Sequence, residues 1–291
     1  MSVRRYTATD YVLACFMGIL ALVIVLPFYN VIIRSFATPK AVNSQLFYLI
    51  PTSFDLSTYR YVFEKTDIAR GLMNSTLVVL VGTSLNMFVT TTGAYALSRK
   101  KYPGKSLFMI LIVITMLFDG GIIPFYMTVK GLGLINSFLA MILPASVDTF
   151  LLIILINHFR HLPPSLEESA HLDGANDVRI LTSILLPVSK ASVAAVGLFY
   201  AVARWNEWWL AMFFINNTDQ HPLQLMLREL INSAASTLSM AASAARHSTV
   251  QTMPEIMQMA GVVITVVPIM CVYPLIQPYF ARGVMVGAIK G

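Results

Sequence analysis

Long apolar runs without a charged residue are the feature that most limits what this chain can fold into. Three such runs extend over Tyr11 to Ile33, Gly71 to Ser98 and Ile256 to Ala281. A helix rises about 1.5 Å per residue, so about 20 apolar residues cross the hydrocarbon core of a bilayer. Each run is therefore long enough to form a membrane-spanning helix. Of all residues 57% are hydrophobic and 12% are charged, which excludes a cytosolic enzyme, a secreted disulfide scaffold and a disordered chain.

Three further runs reach this length when one or two ionisable residues are tolerated. The sequence therefore predicts an all-α integral membrane protein, a single domain over residues 1–291 with six transmembrane helices. The alternating pattern of an outer-membrane barrel is absent, and the first run is too long for the core of a cleaved signal peptide. We expect the spans at about residues 11–33, 71–98, 106–127, 139–158, 188–210 and 258–280.

The distribution of basic residues predicts the orientation of these spans. The short loop from Arg99 to Lys105 holds four basic residues and no acid, which places it in the cytoplasm by the positive-inside rule. With six spans, the N-terminus, the segment 160–190 and the C-terminal tail lie on the same side. The net charge of +6 is then explained by topology and contact with lipid headgroups, and not by nucleic-acid binding.

The cytoplasmic segment between the fourth and fifth spans has the most informative local pattern. Ser165, with Glu168 three residues later, follows two prolines and predicts a capping box and a short helix that begins at Ser165. Gly174 is a natural end for this helix, and Asn176 or Asp177 can cap a following one. The segment is therefore predicted to be a short helix, a glycine corner and a second helix that enters the membrane.

Two interpretations of the short helix are open from its residues alone. The small side chains of Ser169 and Ala170 permit close approach of a partner, and Glu168 and Asp173 offer charge to basic groups opposite. Such a helix would fit into a groove of another protein. The same residues are also compatible with an ordinary solvated connector.

A resemblance to a known family favours the first interpretation. Glu168-Ser169-Ala170, Asp173-Gly174-Ala175 and the later Leu186-Pro187 resemble the EAA loop of binding-protein-dependent ABC importer permeases. Ser169 stands where that loop usually has its first alanine, and both residues are small. The resemblance implies that segment 161–187 docks on an ATPase subunit and transmits movement driven by nucleotide. The implied coupling residues are Glu167, Glu168, Ser169, Ala170, Asp173, Gly174, Ala175 and Pro187.

Other motifs resemble the carbohydrate-uptake type of this family. Gly93–Arg99 and Trp205–Trp208 are similar to segments of carbohydrate importers, and the terminal Gly283–Gly291 resembles the end of the maltose-type second permease. Phe118–Pro124 and Tyr273–Phe280 resemble the lipoprotein-cluster branch, which is associated with complex oligosaccharides or polysaccharides. The resemblance implies uptake of an oligosaccharide or polysaccharide, with no signal for the exact sugar.

The family resemblance also implies the fold, the partners and the location. It implies the type I ABC importer permease fold in a bacterial cytoplasmic (inner) membrane, with both termini in the cytoplasm. The expected partners are a second homologous permease in a heterodimer, two ATPase subunits, an extracytoplasmic solute-binding protein and membrane lipid. By the same resemblance the C-terminal tail, at Gly287, Lys290 and Gly291, reaches the ATPase interface.

Nucleotide binding is not expected in this chain. Gly104-Lys105-Ser106 looks like the end of a P-loop, but Arg99 stands where the first glycine of that motif is required. ATP and magnesium are therefore expected on the partner subunits, and this chain is expected to hold no cofactor. The histidines form no metal-binding motif, and no catalytic site is predicted.

Ionisable residues inside the spans are the candidates for the transport pathway, because they are costly in lipid unless they are paired or wetted. Arg204 and Glu207 lie three residues apart near the outer end of the fifth span, close enough to pair. With Trp205, Asn206 and Trp208 they form either an interfacial aromatic belt with snorkelling charges or a wet cavity that binds sugar. A weaker hypothesis has Arg204 reading a uronate carboxylate. The other candidates, for which structural pairing is the alternative, are Asp119, Asp148, Asn86 and Tyr95.

Two alternative functions remain open from the sequence. The first is an ABC permease with a non-sugar cargo. The second is an ion-coupled secondary transporter or a membrane enzyme, which would need an acid near the middle of the membrane. Asp119 and Asp148 are the candidates for that acid.

Overall fold

The computed structural model describes residues 7–38, 54–99, 103–232 and 252–288, and the regular structure within these ranges is helical. Two compact units are formed, one by Met1–Asp67 with Leu227–Val267, the other by Ile68–Met226 with Pro268–Gly291. The helices are α1 (Ala8–Ser35), α2 (Ser57–Lys65), α3 (Ile68–Ser98), α4 (Lys105–Leu117), α5 (Ile122–Gly131), α6 (Thr149–Arg160), α7 (Ser165–Leu172), α8 (Asp177–Val188), α9 (Lys190–Trp205), α10 (Trp209–Phe214), α11 (223–232) and α12 (Thr252–Ala288).

Three helices in the described ranges are long and apolar enough to cross a membrane. They are α1, α3 and the part of α12 from Ile256 to Pro274, and they coincide with the three charge-free runs. Two bent pairs, α4 with α5 and α8 with α9, raise the number of candidate spans to as many as five. The chain is therefore an all-helical membrane protein with three to five candidate spans.

The third and fifth predicted spans are not single straight helices. The axes of α4 and α5 differ by 119°, and Gly121 between them has a φ of 82°, a conformation that favours glycine. Asp119 lies in this break and accepts a hydrogen bond from the Gly121 N–H at 2.8 Å. In the fifth predicted span α8 and α9 meet at 90°, and α9 ends at Trp205 and not at residue 210.

The fourth predicted span differs most from the expectation of a continuous helix over 139–158. A short 3₁₀ helix covers Phe138–Met141, residues 142–148 are not regularly helical, and α6 begins only at Thr149. Pro144, which has no N–H, lies in the irregular stretch. Asp148 caps α6 by accepting a hydrogen bond from the Leu151 N–H at 2.9 Å. Local signals thus stop the helix inside the predicted span.

α3 is the central element of the second unit and packs against α9 and α6. Its first half contributes Val78 to an apolar cluster that includes Met141 and Phe214. Its second half contributes Ala94 to another cluster, which includes Leu155 and residues of α8. The same helix therefore contacts both groups of predicted site residues.

In the first unit, aromatic stacking joins Phe36, directly after α1, to Phe54 and to α2. The ring of Phe36 stacks on Phe54 and Tyr59 at centroid distances of 4.9 and 5.0 Å. The Tyr59 hydroxyl hydrogen-bonds the Ser35 hydroxyl at 2.7 Å, and burial raises the pKa of Tyr59. These contacts hold the end of α1 against α2.

The start of α3 is joined to residues 219–221 by a buried amide, which gives a first test of the fold. The Asn74 Nδ2 group donates to the carbonyl oxygens of Asp219 and His221 at 2.8 and 3.1 Å. We expect Asn74→Leu to lower the free energy of unfolding by about 1–3 kcal/mol, because the buried carbonyl of His221 and the partly buried carbonyl of Asp219 lose their donor. Thermal unfolding of the purified protein in detergent measures the effect. Thr76→Val is the control, since Thr76 is exposed and donates to Leu72 of its own helix; equal melting points for the two variants would contradict the prediction.

Candidate functional site: an exposed short helix and a buried polar cluster

The short helix predicted at Ser165 is confirmed, although its cap is not the predicted one. The helix α7 begins at Ser165 with Pro164 in the capping position, and Ser165 and Glu168 form no capping box. The Pro164 carbonyl accepts hydrogen bonds from the N–H groups of Glu167 and Glu168, both at 3.1 Å. The prolines thus both end the previous helix and start this one.

Gly174 ends α7 as predicted. Its φ of 76° lies in the left-handed region, where a side chain would be strained. The turn is closed by hydrogen bonds from the Gly174 N–H to His171 and from the Ala175 N–H to Ala170, at 3.0 and 2.9 Å. Asn176 then caps α8 by accepting from the Arg179 N–H at 2.9 Å. Pro187 lies in the last turn of α8, after a π-helical stretch over Ile180–Leu185.

The two faces of α7 have different environments. Ala170 is only 5% exposed and packs in the apolar cluster formed by α3, α6 and α8. On the other face Glu168, Ser169 and Asp173 are exposed. Leu172 is 89% exposed, and Val178 at the start of α8 is 70% exposed. The segment therefore presents an apolar and acidic surface outward while its inner face is fixed to the helices beneath.

Polar contacts attach this segment to the end of α3. Glu167 forms an ion pair with Arg99, and both side chains are partly buried. The Arg99 guanidinium lies over the ring of Tyr95, with Cζ 4.3 Å from the ring centroid. The Tyr95 hydroxyl donates to Asp177 Oδ1 at 3.0 Å. Burial lowers the pKa of Arg99, but a guanidinium remains protonated in proteins. Tyr95, a candidate pathway residue, is thus placed beside α7.

Arg204 is the centre of a second polar region, and it is only 3% exposed. Its Nε and Nη2 donate to Asn86 Oδ1 at 3.2 and 2.9 Å. Nη1 donates to the carbonyl of Met141 at 2.6 Å, and Nη2 donates to Ile142 and Ala145 at 2.9 and 2.6 Å. The Asn86 amide also donates to Ala145, at 2.9 Å. The guanidinium therefore satisfies backbone oxygens in the interrupted fourth span.

This network meets a requirement that lipid imposes on the backbone. Irregular backbone at membrane depth is stable only where protein or water replaces the missing helical hydrogen bonds. Arg204 supplies those donors, and Gly82 makes room for it, since a Cβ on Gly82 would lie 3.0 Å from the Arg204 Nε. The donors of Arg204 are engaged with the protein, so the geometry does not favour the hypothesis that it reads a uronate carboxylate.

Arg204 and Glu207 attract each other electrostatically, but among the described residues they form no ion pair within 4.0 Å. Glu207 instead accepts a hydrogen bond from the Leu210 N–H at 2.8 Å and thereby caps α10. Asp148 similarly caps α6. Tyr200 of α9 connects α3 with the start of α6. Its hydroxyl hydrogen-bonds the Thr90 hydroxyl at 2.7 Å and accepts a hydrogen bond from the Asp148 N–H at 3.0 Å.

These groups line a cavity of about 360 Å³ beside the cluster. It brings together four of the predicted pathway residues, Asn86, Asp148, Arg204 and Glu207. Three aromatic residues that the sequence reasoning missed also line it: Phe150, Phe199 and Tyr200. Their positions close to Asp148 and Arg204 in the sequence were the available signal. Carboxylates beside aromatic rings are a combination that can bind hydroxyl groups and stack on sugar rings.

The other predicted pathway residues lie elsewhere. Trp205 lines a separate apolar cavity of about 410 Å³ between α3, α9 and α12. Trp208 packs against the apolar cluster around Phe214. The Asn206 amide donates to the Val202 carbonyl at 2.8 Å and its oxygen accepts from Gln224 at 3.3 Å. Asp119 lies in the break between α4 and α5.

The C-terminal candidates lie at or beyond the end of the described chain. Gly287 belongs to the last turn of α12. Lys290 and Gly291 lie outside the described residues.

Comparison with known proteins identifies the family. A crystal structure of a bacterial ABC transporter involved in the import of the acidic polysaccharide alginate contains a chain that matches with a TM-score of 0.84 at 28% identity, covering 96% of this chain and 100% of that one. The polygalacturonan/rhamnogalacturonan transport system permease protein YtcP of Bacillus subtilis (strain 168) is 41% identical over 97% of this chain and 98% of its own length. The chain belongs to the carbohydrate importer permeases of the ABC transporter family.

Further relatives agree with this assignment. The diacetylchitobiose uptake system permease protein NgcG of Streptomyces coelicolor is 28% identical over 99% of this chain and 90% of its own length. No protein-family model matches the chain. The resemblance drawn from the EAA-like segment is confirmed, and this permease is a transport subunit without catalytic activity of its own.

The buried guanidinium of this permease gives a second test. We expect Arg204→Met to lower the free energy of unfolding by about 3 kcal/mol or more, because Asn86 and three backbone carbonyls lose a charged donor. Arg204→Lys keeps the charge but loses the planar fork, so an intermediate loss is expected. Arg70→Met is the control, because its ion pair with Asp219 is half exposed and is worth about 1 kcal/mol or less. Thermal melting curves in detergent measure the loss of stability. Equal losses of stability for Arg204→Met and Arg70→Met would contradict the structural role of Arg204.

Proposed function

We propose that this permease forms one half of the translocation pathway of a binding-protein-dependent importer that is driven by ATP hydrolysis on partner subunits. In this proposal α7 is the coupling helix that docks on an ATPase. The observation that carries it is the division of α7 into a buried face at Ala170 and an exposed face with Glu168 and Leu172. A solvated connector would have no need to hold a leucine 89% exposed at its tip.

The proposed topology has six crossings, with residues 138–160 as the fourth. The segment from 161 to 187 and both termini then face the cytoplasm, and the tail with Gly287, Lys290 and Gly291 extends towards the ATPase interface. The cavity beside Arg204 is open, and Phe150 and Phe199 on its wall are 57% and 53% exposed. We assign the opposite wall to a second, homologous permease subunit. An extracytoplasmic solute-binding protein delivers the cargo to this pathway.

The cargo that the comparisons favour is a uronate-containing oligosaccharide. The relative named for polygalacturonan and rhamnogalacturonan is 41% identical, and the solved transporter imports the acidic polysaccharide alginate. The relatives named for diacetylchitobiose and arabino-oligosaccharides are 28% and 25% identical. In the cavity Phe150, Phe199 and Tyr200 supply stacking surfaces for sugar rings, while Asp148 and Glu207 accept hydrogen bonds from hydroxyl groups.

The alternative of an ion-coupled transporter or a membrane enzyme finds little support in the geometry. Asp119 accepts a hydrogen bond from the backbone of Gly121 in an exposed break, and Asp148 caps α6. Both acids therefore already serve as local backbone acceptors. The energy source in the proposal is ATP hydrolysis by separate subunits.

Two pairs of variants test the docking of α7. Glu168→Lys and Leu172→Glu reverse the charge or the polarity of the exposed face, so we expect both to abolish ATP-dependent uptake and to weaken ATPase binding. Glu168→Gln and Leu172→Met are the matched controls and should retain most of the uptake. Uptake in cells and co-purification of the ATPase are the measurements, with the amount of inserted permease as a reference. Normal uptake by Glu168→Lys and Leu172→Glu would show that α7 is not the docking site.

A competition experiment tests the cargo. Cells that carry the complete transporter are given labelled short oligosaccharides from a digest of polygalacturonan, in the presence of excess unlabelled competitor. We expect an oligogalacturonide competitor to suppress uptake and a neutral arabino-oligosaccharide of the same length to have little effect. Suppression by the neutral sugar alone, or no uptake of the acidic sugar, would overturn the uronate assignment.

A further inference from the structure

Tyr95 and Arg99 have a placement that the docking of α7 does not by itself explain. They lie one helical turn apart at the end of α3, so their side chains share one face of that helix. Tyr95 is buried and Arg99 is partly buried. Their side chains face α7 and α8 and do not line the cavity beside Arg204.

The two residues hold the coupling segment on either side of its glycine corner. Arg99 forms the ion pair with Glu167 in the first turn of α7. Tyr95 donates to Asp177 at the start of α8, at 3.0 Å. The guanidinium also lies on the Tyr95 ring, 4.3 Å from the centroid, so the two contacts support each other through a cation–π interaction.

Other basic residues at this helix end have a different role. Lys105 donates to the carbonyls of Ser98 and Arg99 at 3.4 and 2.9 Å, and Arg160 donates to the carbonyl of Leu97 at 3.5 Å. Both cations therefore stabilise the negative end of the α3 dipole. Among the described residues neither forms an ion pair with α7. The buried Nε and Nη2 atoms of Arg99 have no hydrogen-bond partners. Among the described residues, the ion pair with Glu167 is therefore the polar contact that joins Arg99 to α7.

We propose that Tyr95 and Arg99 form a two-point latch that fixes Glu167 and Asp177 to α3 and transmits movement of the coupling helix into that helix. Tyr95 and Arg99 are then positioning residues. The proposal rests on the assignment of α7 as the coupling helix and names the element that receives its movement.

The route from the latch to the cavity is one continuous helix. Asn86 and Thr90 of α3 bond to Arg204 and Tyr200 in the cavity wall. From Arg99 to Asn86 the helix covers about 20 Å at 1.5 Å per residue. A displacement of α7 that is held at both ends of its corner therefore moves α3, and with α3 it moves the polar cluster around the pathway.

Exchanging the charges of Arg99 and Glu167 by mutation in the complete transporter tests the latch. Spin labels at Thr92 on α3 and Lys130 on α5, both exposed, report the distance between these helices with and without ATP, magnesium and vanadate. We expect a nucleotide-dependent change in the parent complex, loss of most of it in Arg99→Glu and in Glu167→Arg, and its return in the double variant. ATP hydrolysis and co-purification of the ATPase are measured for all three complexes, so that a loss of docking is distinguished from a loss of transmission.

The controls separate transmission from simple damage. Arg160→Gln removes a neighbouring cation that forms no ion pair with α7 among the described residues, and it should keep the distance change. Tyr95→Phe keeps the ring under Arg99 but removes the hydroxyl donor to Asp177, so a partial loss is expected even if the charge variants fail to assemble. No nucleotide-dependent change in the parent, or a full change in both Arg99→Glu and Tyr95→Phe, would overturn the latch. The docking of α7 is judged separately by Glu168→Lys, so a failure of the latch is distinguishable from a failure of the docking.

Discussion

The interaction on which the second unit depends is the hydrogen bonding of one buried arginine to the backbone of an interrupted span. Residues 142–148 leave carbonyl oxygens without helical partners, and hydrocarbon offers no donor to replace them. Arg204 supplies the donors together with Asn86, and so ties α9, α3 and the irregular stretch to one another. The cavity lies beside this junction, so its shape depends on the same hydrogen bonds.

α3 joins the two regions to which a function is proposed. Near its middle Asn86 lines the cavity and Thr90 hydrogen-bonds Tyr200 in the cavity wall, and at its end Tyr95 and Arg99 face the segment of α7 and α8. Its remaining inner positions pack in apolar clusters with α6, α9 and the helices near them. A helix with contacts along its whole length moves as one body because its own backbone hydrogen bonds resist bending. In the proposed function α3 thus connects the docking of α7 at the surface with the polar cluster in the interior.

The sequence was most informative where the signal was local. The prolines before Ser165 and the glycine at 174 specify a short helix with a sharp corner, and the small residues within it match the EAA pattern. The same local rules mark the breaks at Gly121 and Pro144, but long apolar runs masked them and led to the expectation of straight spans. The sequence presents Asp148 and Glu207 as intramembrane charges, with Glu207 close enough to Arg204 to pair, whereas each caps a helix that the apolar pattern does not delimit.

The sequence by itself determined that the chain is a helical membrane protein and a permease of the ABC family, because hydropathy and a short motif are properties of neighbouring residues. Tertiary structure alone decided the partners of Arg204, the attachment of Glu167 to Arg99 and the assembly of the cavity. Those contacts join residues far apart in the chain, and several of the acceptors are backbone carbonyls. Every residue has a carbonyl, so the sequence contains no mark of which one a buried guanidinium will bind.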